Sequence, residues 1–266
     1  MSPIDAFRLS EAAARKYQDH SVPAMFAPLA DATAKRLNLP ANGHILDVAC
    51  GTGALTRAIL EHLPGQGRVV GADLNQSMID VARSMTKRTV HSVEWVASDV
   101  TALPLDDQSF DLACIQQGLQ FFPDKPAALA EIHRVLKPSG HLSLTCWRAI
   151  SPFNNALAEA LATFVSDSAA QKARAPFSFR DGDVITSLLQ DAGFSVATHD
   201  GIILQRRFED LRAQVLALPV EQDMRAKGEA VIDQVIDDIA ARLAPYSQDG
   251  VFIVPQEAHF FVATRA

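Results

Sequence analysis

From His44 to Trp147 the chain alternates short apolar strands with helices, a pattern that few folds other than a parallel sheet can satisfy. Strands are predicted at His44–Ala49, Arg68–Asp73, Val93–Ala97, Phe110–Gln116 and His141–Trp147. Helices fall between them, at Gly53–Leu63 before Pro64-Gly65, at Ser77–Lys87, and at Pro126–Leu136 before the turn Lys137-Pro138-Ser139-Gly140. Strands linked through helices of this length run parallel, with right-handed crossovers and helices on both faces. In such sheets ligands bind beyond the carboxyl ends of the strands, where strand order reverses. Informative residues are therefore expected just after each strand.

The flanks read differently. Residues Ile4 to Leu39 have helical spacing, through Ala12, Ala13, Ala14, Met25, Phe26, Leu29 and Ala30, with Pro23 and Pro28 predicted to break the segment into pieces. Pro40-Ala41-Asn42-Gly43 forms a turn. Beyond Trp147, helices are expected at Asn154–Val165, from an Asp181 cap to Gln190, around Glu209–Leu218 and at Glu229–Leu243. Strands are expected at Phe194–Thr198 and Glu257–Thr264.

Of 266 residues, 48% are apolar and 21% charged, enough to bury a substantial core. The net charge of −7 argues against a nucleic-acid partner, and the longest basic clusters are only Lys87-Arg88 and Arg206-Arg207. Met1-Ser2-Pro3-Ile4-Asp5 lacks the pattern of a secretion signal, and no apolar stretch has the length of a membrane span, so a cytoplasmic protein is expected. The three cysteines, Cys50, Cys114 and Cys146, form no C-x-x-C pair, so neither a disulfide framework nor a metal site is expected.

The first strand ends in Asp47-Val48-Ala49-Cys50-Gly51-Thr52-Gly53 and runs into a helix. Glycines there let the backbone turn tightly and approach a ligand, and helix-start N–H groups favour anionic ligand groups. The dinucleotide motif G-x-G-x-x-G is incomplete, because its third glycine position holds Thr56. Asp47 would face a pyrophosphate unfavourably and suits the cationic methionine end of S-adenosylmethionine. Asp73 closes the second strand, 20 residues beyond Gly53, where a carboxylate can accept from both ribose hydroxyls. Asp99 follows the third strand, placed to accept an adenine amino proton. Each feature alone has a plain reading: a glycine turn can be a tight connection, and Asp73 can merely cap the next helix. Three carboxylates after three successive strands make coincidence a poor explanation.

The stretches ILDVACGTGALT, VVGADLNQSMIDVAR, VASDVTALPLDDQSFDLA and ALAEIHRVLKPSGHLSL together resemble the class I S-adenosylmethionine-dependent methyltransferases. The resemblance is to the type 11 group, which includes small-molecule methyltransferases and relatives of the ubiquinone/menaquinone C-methyltransferases. It implies a Rossmann-like, seven-stranded, mostly parallel sheet with helices on both faces and a reversed final strand at the sheet edge. It also implies an N-terminal helical lid (1–43), a cofactor-binding domain (44–200 and 256–266) and a helical cap over the acceptor site (201–255). By this resemblance Asp47, Ala49, Gly51 and Gly53 line the methionine moiety, Asp73 holds the ribose, and Leu74 and Met78 pack by the adenine. Asp99 and Val100 meet the adenine edge, and Gln116 offers a carbonyl to the cofactor's amino group. Relatives also place a tyrosine against the cofactor carboxylate, here Tyr17. Ser139 departs from a more usual glycine.

The expected reaction is in-line displacement at a sulfonium methyl, leaving S-adenosylhomocysteine, with the protein orienting the acceptor and excluding water. Gln117 and Gln120 are candidates for orienting the acceptor, or else they cap a short helix. Phe26, Trp147 and Phe153 are candidates for an apolar wall, or else they are core. His20 is the candidate general base, although a lone surface histidine explains it as simply, and His133 reads as structural. The expected acceptor is a small, planar or apolar metabolite and the assembly a monomer or homodimer. An RNA or protein methyltransferase, or a cofactor-binding protein without methyl transfer, are the alternatives.

Overall fold

The computed structural model describes residues 10–266, so the part of the expected N-terminal helix before Ser10 lies outside the described residues. The chain opens with α1 (Glu11–Lys16), a π-helix (Tyr17–Phe26) and α2 (Ala27–Ala34). The prolines do not break this segment. An α-helix would drive the Pro23 ring into the carbonyl one turn back and leave that carbonyl without its N–H; the wider π turns absorb the mismatch. Pro28 sits in the first turn of α2, where a missing N–H costs nothing.

The βα units follow in order: β1 (His44–Val48), α3 (Ala54–His62), β2 (Arg68–Asp73), α4 (Gln76–Met85), β3 (Ser92–Ala97), β4 (Phe110–Gln116), α5 (Lys125–Val135) and β5 (Leu136–Trp147). Next come α6 (Pro152–Phe164), α7 (Asp167–Arg174), α8 (Gly182–Asp191) and β6 (Phe194–Phe208). The chain finishes with α9 (Leu211–Leu216), α10 (Glu221–Arg225), α11 (Glu229–Leu243), β7 (Ser247–Gln248) and β8 (Val251–Arg265).

The sheet order is β3-β2-β1-β4-β5-β8-β6, the expected seven strands, and among the described residues the two-residue β7 adds an eighth by pairing with β8. β1 pairs in parallel with both β2 and β4, which makes its carboxyl end the point where strand order reverses. The reversed strand is not at the edge: β8 lies antiparallel between β5 and β6, and β6 takes the outer place. The expected lysine–proline–serine–glycine turn is absorbed into β5, where Ser139 sits at φ +61°, a conformation glycine adopts at less cost.

Both sheet faces are covered. Leu46, Val48, Ile115, Leu129, Ile132 and Leu189 form the core against α5 and α8. Ile45, Val69 and Leu112 meet Ala30, Leu55 and Ile59 on the other side, under α2 and α3. A third cluster stands apart from the central strands. It joins Phe153, Leu161, Val215, Met224, Ile232, Val235 and Ile239 with Val254 of β8. The insertion expected over 201–255 therefore differs in extent, because β6 and β8 continue as strands through Phe208 and from Val251, and α6 and α7 pack with its helices.

Candidate active site

At the end of β1 the backbone turns through three left-handed residues, Ala49 (φ +54°), Gly51 (φ +55°) and Gly53 (φ +78°). Gly51 N–H donates to Asp73 Oδ2 at 2.8 Å, tying the turn to the end of β2, and Asn75 N–H donates to Asp73 Oδ1 at 2.9 Å. The cap of α4 is Asn75, whose side chain accepts from Ser77 N–H, so Asp73 is not a cap. Its half-buried carboxylate keeps acceptor capacity beside the turn, and burial raises its pKa against those two N–H groups.

Asp47 is 1% exposed. Its Oδ2 accepts from Thr56 Oγ1 at 2.6 Å, while Oδ1 is buried with no partner. Burial pushes the carboxyl up to about 7, the Thr56 hydrogen bond opposes this, and the nearby Asp73 charge adds to it. A buried carboxylate oxygen without a donor is costly and marks a place where a donor or cation belongs.

Tyr17 leans over the turn: a methyl added at Gly51 would sit 4.0 Å from its Cε1. Burial, with Asp73 second, raises its hydroxyl pKa. Its ring lies 5.2 Å from that of Phe26, and Phe26 lies 6.2 Å from Trp147. Leu74 and Met78 are half-buried beside Asp73. Asp99 uses Oδ1 to accept from Thr101 N–H and Oγ1, both at 2.9 Å, so part of its capacity closes its own loop. Val100 packs against the core under β3 and β4.

Beyond β4, Gln116 Nε2 donates to the Phe26 carbonyl at 3.3 Å and its Oε1 is buried without a partner. Gln117 is held at φ +57°, and its Nε2 is also buried and unpartnered. Its Oε1 accepts from Gln120 Nε2 at 3.4 Å. The following short helix, Leu119–Phe121, starts at Gly118 with no side-chain cap, so these glutamines are not caps. Trp147, 2% exposed, also stacks with Phe177 at 6.1 Å, and Phe153 belongs to the helical cluster.

One residue lies away from where it was expected. His20 does not join the turn. It lines a separate crevice of about 270 Å³ with Asp19, Arg207, Glu209, Asp210 and Gln214, and its carbonyl accepts from Gln214 Nε2. The cause is local, since the π turns carry Tyr17 and Phe26 onto one side of the helix and His20 onto another. Gly53 keeps its place in the turn and also makes room for Trp95: a methyl there would lie 2.5 Å from the indole, and one at Gly71 2.4 Å from it. The sequence reading missed Thr56 as the partner of Asp47 and Thr145, whose hydroxyl is buried and unpartnered beside Gln116 in register. A hydroxyl one turn into the helix was a readable signal for Thr56; the β4–β5 register was not. Among the described residues no three His, Cys, Asp or Glu could hold a metal, and no helix is long and apolar enough to cross a membrane.

The methyltransferase domain family matches residues 45–140. A demethylmenaquinone methyltransferase of Lactiplantibacillus plantarum is 39% identical over 41% of this chain and 47% of that protein. The chain thus spans about half the length of the first relatives it matches. The ubiquinone/menaquinone biosynthesis C-methyltransferase of Pseudoalteromonas translucida is 31% identical over 60% of this chain and 69% of that protein. This chain belongs to the class I S-adenosylmethionine-dependent methyltransferases of the ubiquinone/menaquinone type. Among solved structures, a Haemonchus contortus phosphoethanolamine N-methyltransferase superposes with a TM-score of 0.61 at 17% identity, over 99% of this chain and 59% of that one. A geranyl diphosphate C-methyltransferase of Streptomyces coelicolor gives 0.51 at 14%, over 90% and 75%. Both show the shared methyltransferase fold.

The residues present fit the family's cofactor, S-adenosylmethionine. Unpartnered Asp47 Oδ1 suits its cationic methionine end, and the carboxylate of Asp73 suits a ribose diol.

Proposed function

We propose that the chain transfers a methyl group from S-adenosylmethionine to an O, N or C atom of a small, flat, largely apolar acceptor, in the cytoplasm. The observation that carries this is the pair Asp47 and Asp73 at the reversal of strand order, one with a buried unpartnered oxygen. Asp47, Ala49, Gly51 and Gly53 would hold the methionine end, with Tyr17 above them. Asp73 would hold the ribose, and Leu74, Met78, Asp99 and Val100 the adenine. Gln116 would offer its backbone carbonyl to the cofactor's amino group, and Gln117 and Gln120, with Phe26 and Trp147, would orient the acceptor. The cofactor supplies the electrophilic methyl, so the chain's own work is alignment and exclusion of water. The N-terminal helix would act as the lid, and the cluster around α11 as the cap. The named activities of the quinone-methylating relatives make a hydroquinone ring the first acceptor to try.

Titration with S-adenosylhomocysteine tests the cofactor half, with affinity expected to fall at least about tenfold, ~1.4 kcal/mol, in Asp73→Ala. Unchanged affinity sinks the ribose assignment. Transfer of label from methyl-labelled cofactor to a panel of hydroquinones and phenols tests the other half; tight binding with no transfer to any of them would leave a binding protein only.

A further inference from the structure

The register of β8 makes an arm beyond the site. Its pairing with β5 stops at Trp147–Ala258, while its pairing with β6 continues to Phe208–Phe252. Because β8 runs antiparallel to β5, that extra length projects past the carboxyl edge of the parallel strands, the edge that carries the cofactor turn. Opposed and alternate residues of a paired strand share a face. Leu204–Gln256 and Arg206–Val254 are opposed pairs, so Arg206 and Gln256 are diagonal neighbours on the face that Ala258 and Trp147 continue.

Both side chains are unusual. Arg206 is 2% exposed and makes no ion pair among the described residues. Its Nη2 donates to neutral Gln214 Oε1 at 2.8 Å, its Nε is buried without a partner, and its guanidinium lies 3.9 Å from the Phe153 ring centroid. Gln256 is 1% exposed, and neither its Oε1 nor its Nε2 has a partner. On either side are apolar clusters, the Trp147 group under the N-terminal helix and the Phe153 group under α11. A guanidinium buried with no counter-charge is strongly disfavoured, and its desolvation lowers its pKa to about 9. A charge kept at that cost calls for a partner from outside the chain.

We infer that Arg206 and Gln256 form the acceptor's anchoring subsite, which takes an anionic oxygen, a carboxylate or a phenolate, borne on a flat apolar ring. The guanidinium supplies paired donors suited to such an oxygen, Gln256 supplies a further donor, and the aromatic walls take the ring. This rests on the proposed methyl transfer and adds the charge of the acceptor.

The full chain, saturated with S-adenosylhomocysteine, is titrated with 2-naphthoate against 2-naphthamide, and with 4-nitrophenolate against 4-nitroanisole. At least one anion is expected to bind tenfold or more tightly than its neutral counterpart. Which pair shows the preference distinguishes carboxylate from phenolate. In Arg206→Met the preference is expected to vanish while S-adenosylhomocysteine affinity stays within twofold and the melting temperature does not fall. Arg206→Lys is expected to keep part of the preference. Equal binding within both pairs, or a preference that survives Arg206→Met, overturns the inference. A melting temperature that drops in Arg206→Met with the preference intact does so as well, and assigns the arginine to packing. Failure of the wild type to bind S-adenosylhomocysteine would instead overturn the cofactor reading.

Discussion

Asp47 couples the cofactor turn to protons. With a folded pKa of about 7 against an ordinary 3.8, it binds more protons folded than unfolded between those values. Stability contributed by its neutral form is therefore fully present at low pH and is lost as pH rises through about 7. A cationic ligand at Oδ1 favours the ionised form, so binding should expel a proton. Calorimetry of S-adenosylhomocysteine binding near pH 7, in buffers of differing ionisation enthalpy, is expected to show release of about half a proton, with affinity rising as pH increases. In Asp47→Asn the release should disappear; release that persists would place the proton elsewhere. The residue type and its position near the end of a strand were legible in the sequence. Its missing partner was not, because whether Oδ1 finds a donor depends on how α3 and β2 close around it.

At the scale of the element, the β6–β8 pair carries a second titratable contact. His199 Nε2 lies 3.0 Å from His259 Nδ1, and His259 Nε2 lies 2.9 Å from the Arg180 carbonyl. If His259 donates to that carbonyl, its Nδ1 accepts from His199, and protonating it breaks the arrangement. Burial lowers the pKa of His259, the Arg180 carbonyl opposes this, and the facing His199 and Arg148 reinforce it, with Asp181 acting the other way. The unfolded chain then binds this proton more readily, so this stability is present above about pH 6.5 and is lost as pH falls below it. Melting temperatures from pH 7.5 to 5.5 should fall more steeply in the wild type than in His259→Gln. Parallel curves would refute the coupling. The comparison must be between variants, because Asp47 pushes the wild type in the opposite direction over the same range. Elsewhere the element boundaries followed local rules: Ser151, Asp181 and Asp210 cap their helices as their side chains dictate. The N-terminal helix escaped those rules, since a proline penalty counted for an α-helix does not carry over to π turns.

For the whole molecule, the helical cluster has a core of its own, and among the described residues its strand members lie at the far ends of β6 and β8. Ile239, fully buried on α11, measures what that core contributes. Ile239→Ala is expected to cost about 2–5 kcal/mol, seen as a lower denaturation midpoint. A variant that keeps S-adenosylhomocysteine affinity while losing anion preference would show the cluster serving the acceptor and not the cofactor. A midpoint within experimental scatter of the wild type would mean that α11 is not packed as described.

The parallel sheet and the turn from Asp47 to Gly53 were determined by the sequence alone. Both follow from local physics: apolar periodicity sets strand and helix, and glycine sets where the backbone can turn. Asp73 was readable for the same reason, as a strand-end carboxylate at a fixed interval. Only the tertiary structure decided that Trp95 fills the space Gly53 leaves, that His20 faces a different crevice, and that β8 carries Gln256 past the sheet beside Arg206. Each of these depends on which distant segments meet and in what register. A register slip of one residue would turn Arg206 to the other face, and nothing within its own strand specifies that choice.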